Sequence, residues 1–535
     1  MQSEDNIGEY VKNSFYLVIP AQQNDPRRLK EFSSKALQQW ITELPTANPG
    51  LATRLLYDFI KDCNSIEMDS QMRLDALEIV RPSVLIIEDY LRSRLIKSGF
   101  PKEDNDRKIL DVLVSIEKEF SIGYWIVLKD LTRRNVSWFQ GKNAALAIHR
   151  CIRGLSNIVI NHFLMGMSIP DWVWIDLHSL YKLSVEIKKD RTKIVNGTNQ
   201  SNKASTPEEC YKQILLLSLA DPTGLMQKEI LLVYNFIETI HFLVNLKSDA
   251  VAGQQMQCIV STDEDKPPHY QESMNAKNDL AALYIDFTRL IKNLQQKEKS
   301  ISATDARFSS MYVPKNNSIK LSSELLDYLG QRWSGIDLQG TLFFSDRLDR
   351  YIAIGLDASF ELQSSSEADA EKNLEFLAQS GSDQLLSCVF EKTGVLSVGS
   401  LVSFRKTDMP EHKRSLGIVN KIVVAKQSGK IDFGMQLLTQ QSAAVTYRPG
   451  DASEKDELQK ALLYTGDERE SEKIYIITDT CMLEGDIIHL FIQQEDFPVV
   501  LKNRKNVGLG YWQFEYQRIT EREKPAHTKK GYDFI

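Results

Sequence analysis

Strict alternation of side chains along residues 431–438 constrains the fold of this chain more than any other feature of its sequence. In an extended segment, one face would carry Ile431, Phe433, Met435 and Leu437. The other face would carry Asp432, Gly434, Gln436 and Leu438. A period of two is that of a β-strand with one face in a core. The segments GVLSVGSLVSF and SLGIVNKIVV precede it, so residues 394–438 predict three half-buried strands.

The rest of the C-terminal half contains further short β patterns. They are YIAIGLDASFEL, KIYIIT, DIIHLFIQ and YWQFEYQ. Short strands separated by turn residues are typical of a small barrel or sandwich. The pattern leaves open whether the strands after Gln440 extend a first barrel or form a second one.

The N-terminal half has a helical period instead. Apolar side chains recur on one helical face at Leu51, Leu55, Leu56, Phe59 and Ile60. Helix starts are also present: Asn48 precedes a first-turn proline, and TPEE at 206–209 has the pattern of a capping box. No fixed-period repeat is visible, which favours an irregular bundle or solenoid over a repeat array.

These patterns predict an α+β multidomain chain, with an irregular all-α N-terminal bundle or solenoid followed by a small β-barrel. The expected parts are an N-terminal extension at 1–25, an all-helical domain at 26–300, a linker at 301–341, a barrel region with insertions at 342–518 and a flexible tail at 519–535.

Composition narrows the class of protein. A net charge of −7 over 535 residues argues against a general nucleic-acid binder, which needs a dominant basic surface. The six cysteines are far apart and form no CxxC pair, which favours reduced thiols. Neither a secretory signal nor an apolar run long enough to cross a membrane is apparent, so we expect a cytoplasmic protein.

No catalytic or metal motif is visible. The chain lacks GxSxG, HExxH and P-loop patterns, and its histidines show no metal-binding spacing. A non-enzymatic protein without a cofactor is therefore expected. A different hypothesis is an enzyme whose site lies in the helical domain, in a pocket around His149, His162 and His178.

The segment GIVxxI, a turn and IxFGMQLL, within residues 417–438, resembles the later strands of a PilZ barrel. The resemblance covers roughly residues 342–438. The helical half, with ELPTANPGLATRLLYDF and DWVWIDLHSLYKLSVE, is similar to the amino-terminal part of bacterial proteins with this layout. The resemblance implies a PilZ-like barrel in a bacterial signalling or scaffold protein, with cyclic di-GMP as a possible ligand.

PilZ domains that bind cyclic di-GMP use an RxxxR-like arginine pair before the barrel and a [D/N]xSxxG turn. The resemblance implies that Arg347 and Arg350 form the arginine pair, although they are three residues apart rather than four. It implies that Gly394 is the glycine of the [D/N]xSxxG turn, although the Asp or Asn and the Ser of that motif are absent here. Arg414 is a further candidate for an anion site. The alternative for each arginine is a solvated or turn charge.

The function predicted from the sequence is therefore non-catalytic binding of cyclic di-GMP, relayed to a protein partner. The alternative is a protein-interaction scaffold whose degenerate barrel binds no ligand. Neither hypothesis includes general nucleic-acid binding or membrane insertion.

Overall fold

The computed structural model describes residues 16–97, 99–133, 141–195, 204–273, 281–298, 321–336, 344–364, 374–425, 429–450, 457–466, 473–492 and 495–519. The expected tail at 519–535 and residues 1–15 of the expected extension lie almost wholly outside this range. Of the extension, residues 16–25 pack on the helical half: Leu17 is buried, and Gln23 forms a β-bridge with Ile66.

The N-terminal half is a helical bundle around one apolar core. Its helices are α1 (Ser34–Thr42), α2 (Pro49–Ser65), α3 (Ser70–Lys97), α4 (Asp104–Arg133), α5 (Gly141–Leu164), α6 (Val173–Glu186), α7 (Pro207–Leu219) and α8 (Gln227–Ile237). The short strands β1 (Ile194–Val195) and β2 (Ala204–Ser205) pair before α7. The predicted irregular helical bundle is confirmed.

Two predicted helix starts are confirmed by their hydrogen bonds. Asn48 Oδ1 accepts from the Leu51 N–H at 3.2 Å, ahead of Pro49. Thr206 Oγ1 accepts from the Glu209 N–H at 3.2 Å, and the Glu209 carboxylate accepts from the Thr206 N–H at 2.9 Å. Both caps pair backbone groups that a helix start otherwise leaves without partners.

The expectation of helix up to residue 300 is wrong between Asn245 and Asp286. A sheet of order β3-β6-β4-β5 occupies this region, with β3 (Asn245–Lys247), β4 (Met256–Ser261), β5 (His269–Glu272) and β6 (Ala282–Asp286). Short strands of three to six residues give too little periodicity to be separated from helix in the sequence. Helix α9 (Thr288–Glu298) follows the sheet.

The linker expected at 301–341 is wrong for its second half. Helix α10 (Ser323–Trp333) lies there, capped by the Ser322 hydroxyl. Trp333 is buried, and its Nε1–H donates to the Leu216 carbonyl at 3.0 Å. This segment is therefore part of the helical core.

The predicted barrel is confirmed as a closed barrel of order β10-β11-β12-β9-β8-β7. We call it barrel 1. Its strands are β7 (Arg350–Ile354), β8 (Phe376–Ser380), β9 (Leu386–Cys388), β10 (Leu401–Lys406), β11 (Ser415–Val424) and β12 (Ile431–Thr439). The alternation that predicted β12 matches its burial, since Ile431, Phe433 and Met435 belong to the barrel core.

The segment YIAIGLDASFEL is not one strand. Strand β7 ends at Ile354, Gly355 follows at φ +90°, and α11 (Leu356–Ser364) begins directly afterwards. A positive φ strongly favours glycine and reverses the chain direction, so the helix returns over the outside of the barrel. Ser359 Oγ then donates to Ser403 Oγ on β10 at 2.9 Å.

The strands after Gln440 form a second closed barrel, barrel 2, of order β13-β14-β15-β18-β17-β16. Its strands are β13 (Ala443–Pro449), β14 (Gln459–Thr465), β15 (Ile474–Thr478), β16 (Ile487–Ile492), β17 (Glu495–Gly508) and β18 (Tyr511–Arg518). An apolar cluster joins the two barrels and α11. Its buried members are Leu356, Leu401, Leu416, Ile418, Leu462, Tyr464 and Ile477.

Barrel 1 also joins the helical half through a short antiparallel bridge. The Leu396 N–H donates to the Phe100 carbonyl at 2.9 Å, and the Phe100 N–H donates back to the Leu396 carbonyl at 2.6 Å. Phe100 and Met226, both from the helical half, are buried in the barrel core. None of the described helices combines the length and apolar character that a membrane-spanning segment requires.

Candidate functional site

Arg347 lies in a turn just before barrel 1, not on an extended segment. Its φ is +55°, and its side chain is 62% exposed. Its Nε–H donates to Asp383 Oδ1 at 2.7 Å. The Phe344 N–H donates to the Asp383 carbonyl at 3.0 Å, which holds this turn against the β8–β9 connection. Arg347 is therefore open to a ligand on one side.

Arg350 is the first residue of β7, and its side chain is buried. Its Nη2 donates to both carboxylate oxygens of Asp346, at 2.7 and 2.8 Å, and its guanidinium lies 5.6 Å from the Phe344 ring centroid. Lys406 Nζ lies 3.1 Å from the same carboxylate. Burial raises the pKa of Asp346, but hydrogen bonds from Arg350, the Leu348 N–H and Lys406 outweigh it and lower the pKa to about 2.

Arg414 is buried rather than part of an exposed charged turn. Its Nε–H donates to Ser403 Oγ at 2.8 Å, and one Nη donates to Glu375. Glu375 also accepts two hydrogen bonds from Arg405, of 2.8 and 2.5 Å. Burial raises the pKa of Glu375, but the hydrogen bonds from the two arginines lower it below its usual range. The Arg405 guanidinium lies 4.5 Å from the Tyr351 ring centroid.

Gly394 lies elsewhere, in the connection between β9 and β10. Its φ is +73°, and its N–H donates to the Pro101 carbonyl of the helical half at 2.9 Å. No described contact joins Gly394 to any of the three candidate arginines. The structure therefore places Gly394 at the junction between barrel 1 and the helical half.

Strands β7 and β10 carry the charged side chains around Arg350, and these side chains do not all lie on one face. In the β7–β10 register, Arg350 is opposite Lys406 and Tyr351 is opposite Arg405. Successive side chains of a strand point to opposite faces. Arg350 and Lys406 therefore lie on the same face as the core residue Ile352. Tyr351 and Arg405 lie on the outer face. We call these four residues, together with Arg347 and Arg414, the arginine edge.

The arginine edge has a surplus of positive charge. Five cations, Arg347, Arg350, Arg405, Lys406 and Arg414, face the carboxylates of Asp346, Glu375 and Asp383, and Glu411 also attracts Arg405 and Arg414. One positive charge is left over, on a chain whose net charge is −7. Arg347 and Lys406 are its exposed members. Such groups can pair with phosphate or with the acceptor edge of guanine.

Sequence reasoning missed the carboxylates and two of the cations. Arg405 and Lys406 directly follow the predicted strand segment GVLSVGSLVSF, and only the register shows that they face Tyr351 and Arg350. Glu375 precedes β8 and is 39 residues from Arg414, so no local pattern connects them. The motif Asp346–Arg350 did contain one signal, because an Asp four residues before an Arg is a common ion-pair spacing.

Two comparisons with known proteins give a match. Residues 35–250 match the family described as cyclic-di-GMP receptor FimW, N-terminal domain. This part of the chain is similar to that domain, and we call the helical half that contains it the FimW-like half. Cyclic-di-GMP receptor FimW of Pseudomonas aeruginosa is 24% identical over 323 residues, which are 60% of this chain.

The chain spans about half the length of this curated relative, since the aligned part is 52% of FimW. No solved structure matches the chain significantly. The match to the FimW N-terminal domain contains helices α1 to α8 apart from the first residue of α1, and it ends well before the arginine edge. It therefore shows what the helical half is similar to, while the candidate site rests on the geometry of barrel 1.

The three histidines of the FimW-like half have separate partners. His149 Nε2 lies 2.8 Å from Ser205 Oγ and 3.2 Å from Cys210 Sγ. His162 Nδ1 donates to the Ile158 carbonyl, and His178 lies between the Tyr211 hydroxyl and the Lys266 carbonyl. Burial lowers the pKa of all three, to about 4 for His178. They form no shared site.

Metal binding finds no support in this part of the molecule. Within the described residues, no group of three or more His, Cys, Asp or Glu side chains is arranged to hold a metal ion. His149, His162 and His178 act as neutral hydrogen-bonding groups in a packed core.

Proposed function

We propose that this protein is a receptor that binds cyclic di-GMP, without turnover, at the arginine edge of barrel 1. The observation that carries the proposal is a surplus of guanidinium and ammonium charge on a closed six-stranded barrel, joined to a FimW-like helical half. FimW of P. aeruginosa carries the name of a cyclic-di-GMP receptor. That name supports the same ligand class for this chain.

The charges of the edge favour an anionic ligand with planar groups. Arg347 and Lys406 are exposed enough to reach phosphate oxygens directly. Asp346 and Asp383 now accept the hydrogen bonds that a phosphate would accept, so a bound phosphate would take the place of one carboxylate. Arg350 and Arg414 are buried, and we assign them to holding the edge in shape.

The decisive measurement is calorimetric titration of the whole chain with cyclic di-GMP. We expect saturable heat from the natural protein and about tenfold or greater weakening in Arg347→Ala and Lys406→Ala, because each removes a charge-assisted hydrogen bond. Arg54→Ala, an exposed arginine on α2, is the matched control. Absence of heat at high micromolar ligand would remove the ligand from the proposal.

A second candidate function is a scaffold with a ligand-incompetent barrel. The observation favouring it is that Arg347, Arg350 and Arg414 are all paired with carboxylates of the chain itself. A scaffold would show no heat with the nucleotide, and Arg347→Ala with Arg350→Ala would leave its protein partners bound. In the receptor, the same partners would respond to the nucleotide.

We also infer that the protein acts in the cytoplasm and passes the binding event to a protein partner. The support for the location is that the six cysteines, all described, are free thiols, five of them buried. The support for the relay is the backbone bridge between barrel 1 and the helical half. A ligand shifts such a junction only by binding its two arrangements with different affinity.

A further inference from the structure

A cavity of about 330 Å³ lies where the helical half meets barrel 1. Its wall is formed by the loop after α5, the start of α8, the end of β11 and Phe100. The volume is within the range of about 300–1,000 Å³ found for small-molecule sites. The cavity is separate from the arginine edge, since none of the five cations lines it.

One polar group in the wall lacks a partner. Gln227 lines the cavity and is 7% exposed, and its Nε2 is buried without a hydrogen-bond partner among the described residues. A buried donor left unpaired costs roughly 1–3 kcal/mol. Gln227 is also the first residue of α8, where backbone N–H groups have no partner within the helix. The described residues thus leave a hydrogen-bond donor beside the cavity that an acceptor from outside the chain could pair.

The charges around the cavity exclude an ionic ligand. No charged side chain lines it in the described part of the chain. Asp221, beside the lining residue Pro222, is already paired with Arg332 at 3.2 Å and Lys421 at 3.8 Å. The Glu229 carboxyl group already accepts from the Met226 N–H, so a second anion there would be repelled. Burying an unpaired charge among apolar side chains is also costly.

We propose that this cavity binds a small, neutral, mainly apolar molecule whose single carbonyl-type oxygen accepts the hydrogen bond of Gln227 Nε2. The apolar wall, with Ile230, Val398 and Ile422, supplies burial for the body of the ligand. Because helical half and barrel each form part of the wall, an occupant stabilises their junction. The site is a second input, separate from nucleotide binding.

The first test uses the neutral naphthyl ketone prodan, whose emission shifts to the blue in apolar surroundings, with the whole chain and no nucleotide. We expect saturable blue-shifted emission with the natural protein. Ile169→Trp and Val423→Trp, which fill the cavity from two sides, are expected to abolish it. Val185→Trp, on the exposed face of α6, is the matched control. No saturable shift with the natural protein overturns the proposal.

The second test isolates the hydrogen bond by displacing prodan with three compounds of similar size. Acetophenone has the acceptor, ethylbenzene lacks it, and benzoate adds a charge. We expect acetophenone to compete about two- to tenfold better than ethylbenzene, and this preference to vanish in Gln227→Met. Gln39→Leu, on the exposed face of α1, is expected to leave it unchanged.

Two results would contradict the assigned chemistry. A ketone preference that persists in Gln227→Met would show that another group donates to the ligand. Benzoate as the strongest competitor would show that the cavity selects an anion. Thermal unfolding of each variant separates loss of binding from loss of fold.

Discussion

Charged side chains in barrel 1 depend on partners from distant positions in the chain. Glu375 neutralises two arginines, and the Arg414 side chain is completely buried. A buried charge without its counter-charge is strongly destabilising, whereas the same pair intact is close to neutral. Removal of the Glu375 carboxylate is therefore expected to cost more stability than the intact ion pairs contribute.

We expect Glu375→Gln to lower the free energy of unfolding by about 3 kcal/mol, since it leaves both guanidinium groups uncompensated while keeping the side-chain shape. Urea unfolding at pH 7 measures this. Glu391→Gln, an exposed residue of the same barrel, is the control. A loss no larger than that of the control would show that Glu375 is not needed to neutralise Arg414.

The buried carboxyl group of Asp176 makes the stability of the FimW-like half depend on pH. Burial raises its pKa to about 7, although hydrogen bonds from the Tyr16 and Leu17 N–H groups lower it. The folded pKa lies above the unfolded value of 3.8, so the folded state binds the proton more tightly between these values. Its contribution to stability is present below about pH 4 and is lost as the pH rises to 7.

The expected result is that Asp176→Asn flattens the decline of unfolding free energy between pH 4 and pH 7. Equilibrium unfolding at several pH values compares it with the natural protein. Asp171→Asn, exposed and five residues away, should keep the natural slope. An unchanged slope in Asp176→Asn would show that this carboxyl group is not the source.

At the scale of elements, helix α7 depends on its start. It is buried along much of its length and contacts His149 through Cys210 and His178 through Tyr211. The capping box at Thr206 and Glu209 satisfies two backbone N–H groups that would otherwise be left unpaired. Local hydrogen bonding thus sets the register of a helix that much of the core packs against.

We expect Thr206→Ala to destabilise the protein by about 1 kcal/mol, the usual cost of a lost N-cap. Ser33→Ala is a close control, because Ser33 occupies the N-cap of α1 without a side-chain capping bond. Chemical unfolding followed by circular dichroism at 222 nm compares the two. Equal effects of both substitutions would rule out the capping bond as the cause.

For the whole molecule, the junction between the helical half and barrel 1 depends on very close backbone contact. A Cβ at Gly99 would lie 2.6 Å from the Leu396 carbonyl oxygen and 2.9 Å from the Gly394 carbonyl oxygen. Backbone atoms cannot move aside as a flexible side chain can. The bridge between Phe100 and Leu396 would therefore have to open.

Gly99→Ala is expected to cost about 1–3 kcal/mol and to separate the unfolding of the helical half from that of the barrels. Scanning calorimetry should show a second transition. Gly50→Ala, in the first turn of α2, meets no atom closer than 3.7 Å and serves as control. A single transition at the natural temperature would show that the junction tolerates the extra carbon.

Local patterns in the sequence determined the kinds of element and some of their ends. The alternation at 431–438 predicted β12, and the caps at Asn48 and Thr206 predicted the starts of α2 and α7, because each depends on residues within a few positions. The arginines at 347 and 350 could be named as candidates from the resemblance alone. Their surroundings could not.

Tertiary structure alone decided how these pieces meet. Two barrels form where one set of strand patterns was visible, because closure depends on pairing between strands far apart in the chain, such as β7 with β10. Burial of Arg414 follows from Glu375, and the cavity at Gln227 exists only because the end of β11 and the start of α8 border the same space. Hydrophobic periodicity and helix caps depend on residues within a few positions of each other. Strand pairing, burial and cavities depend on contacts between residues far apart in the chain, which no local pattern contains.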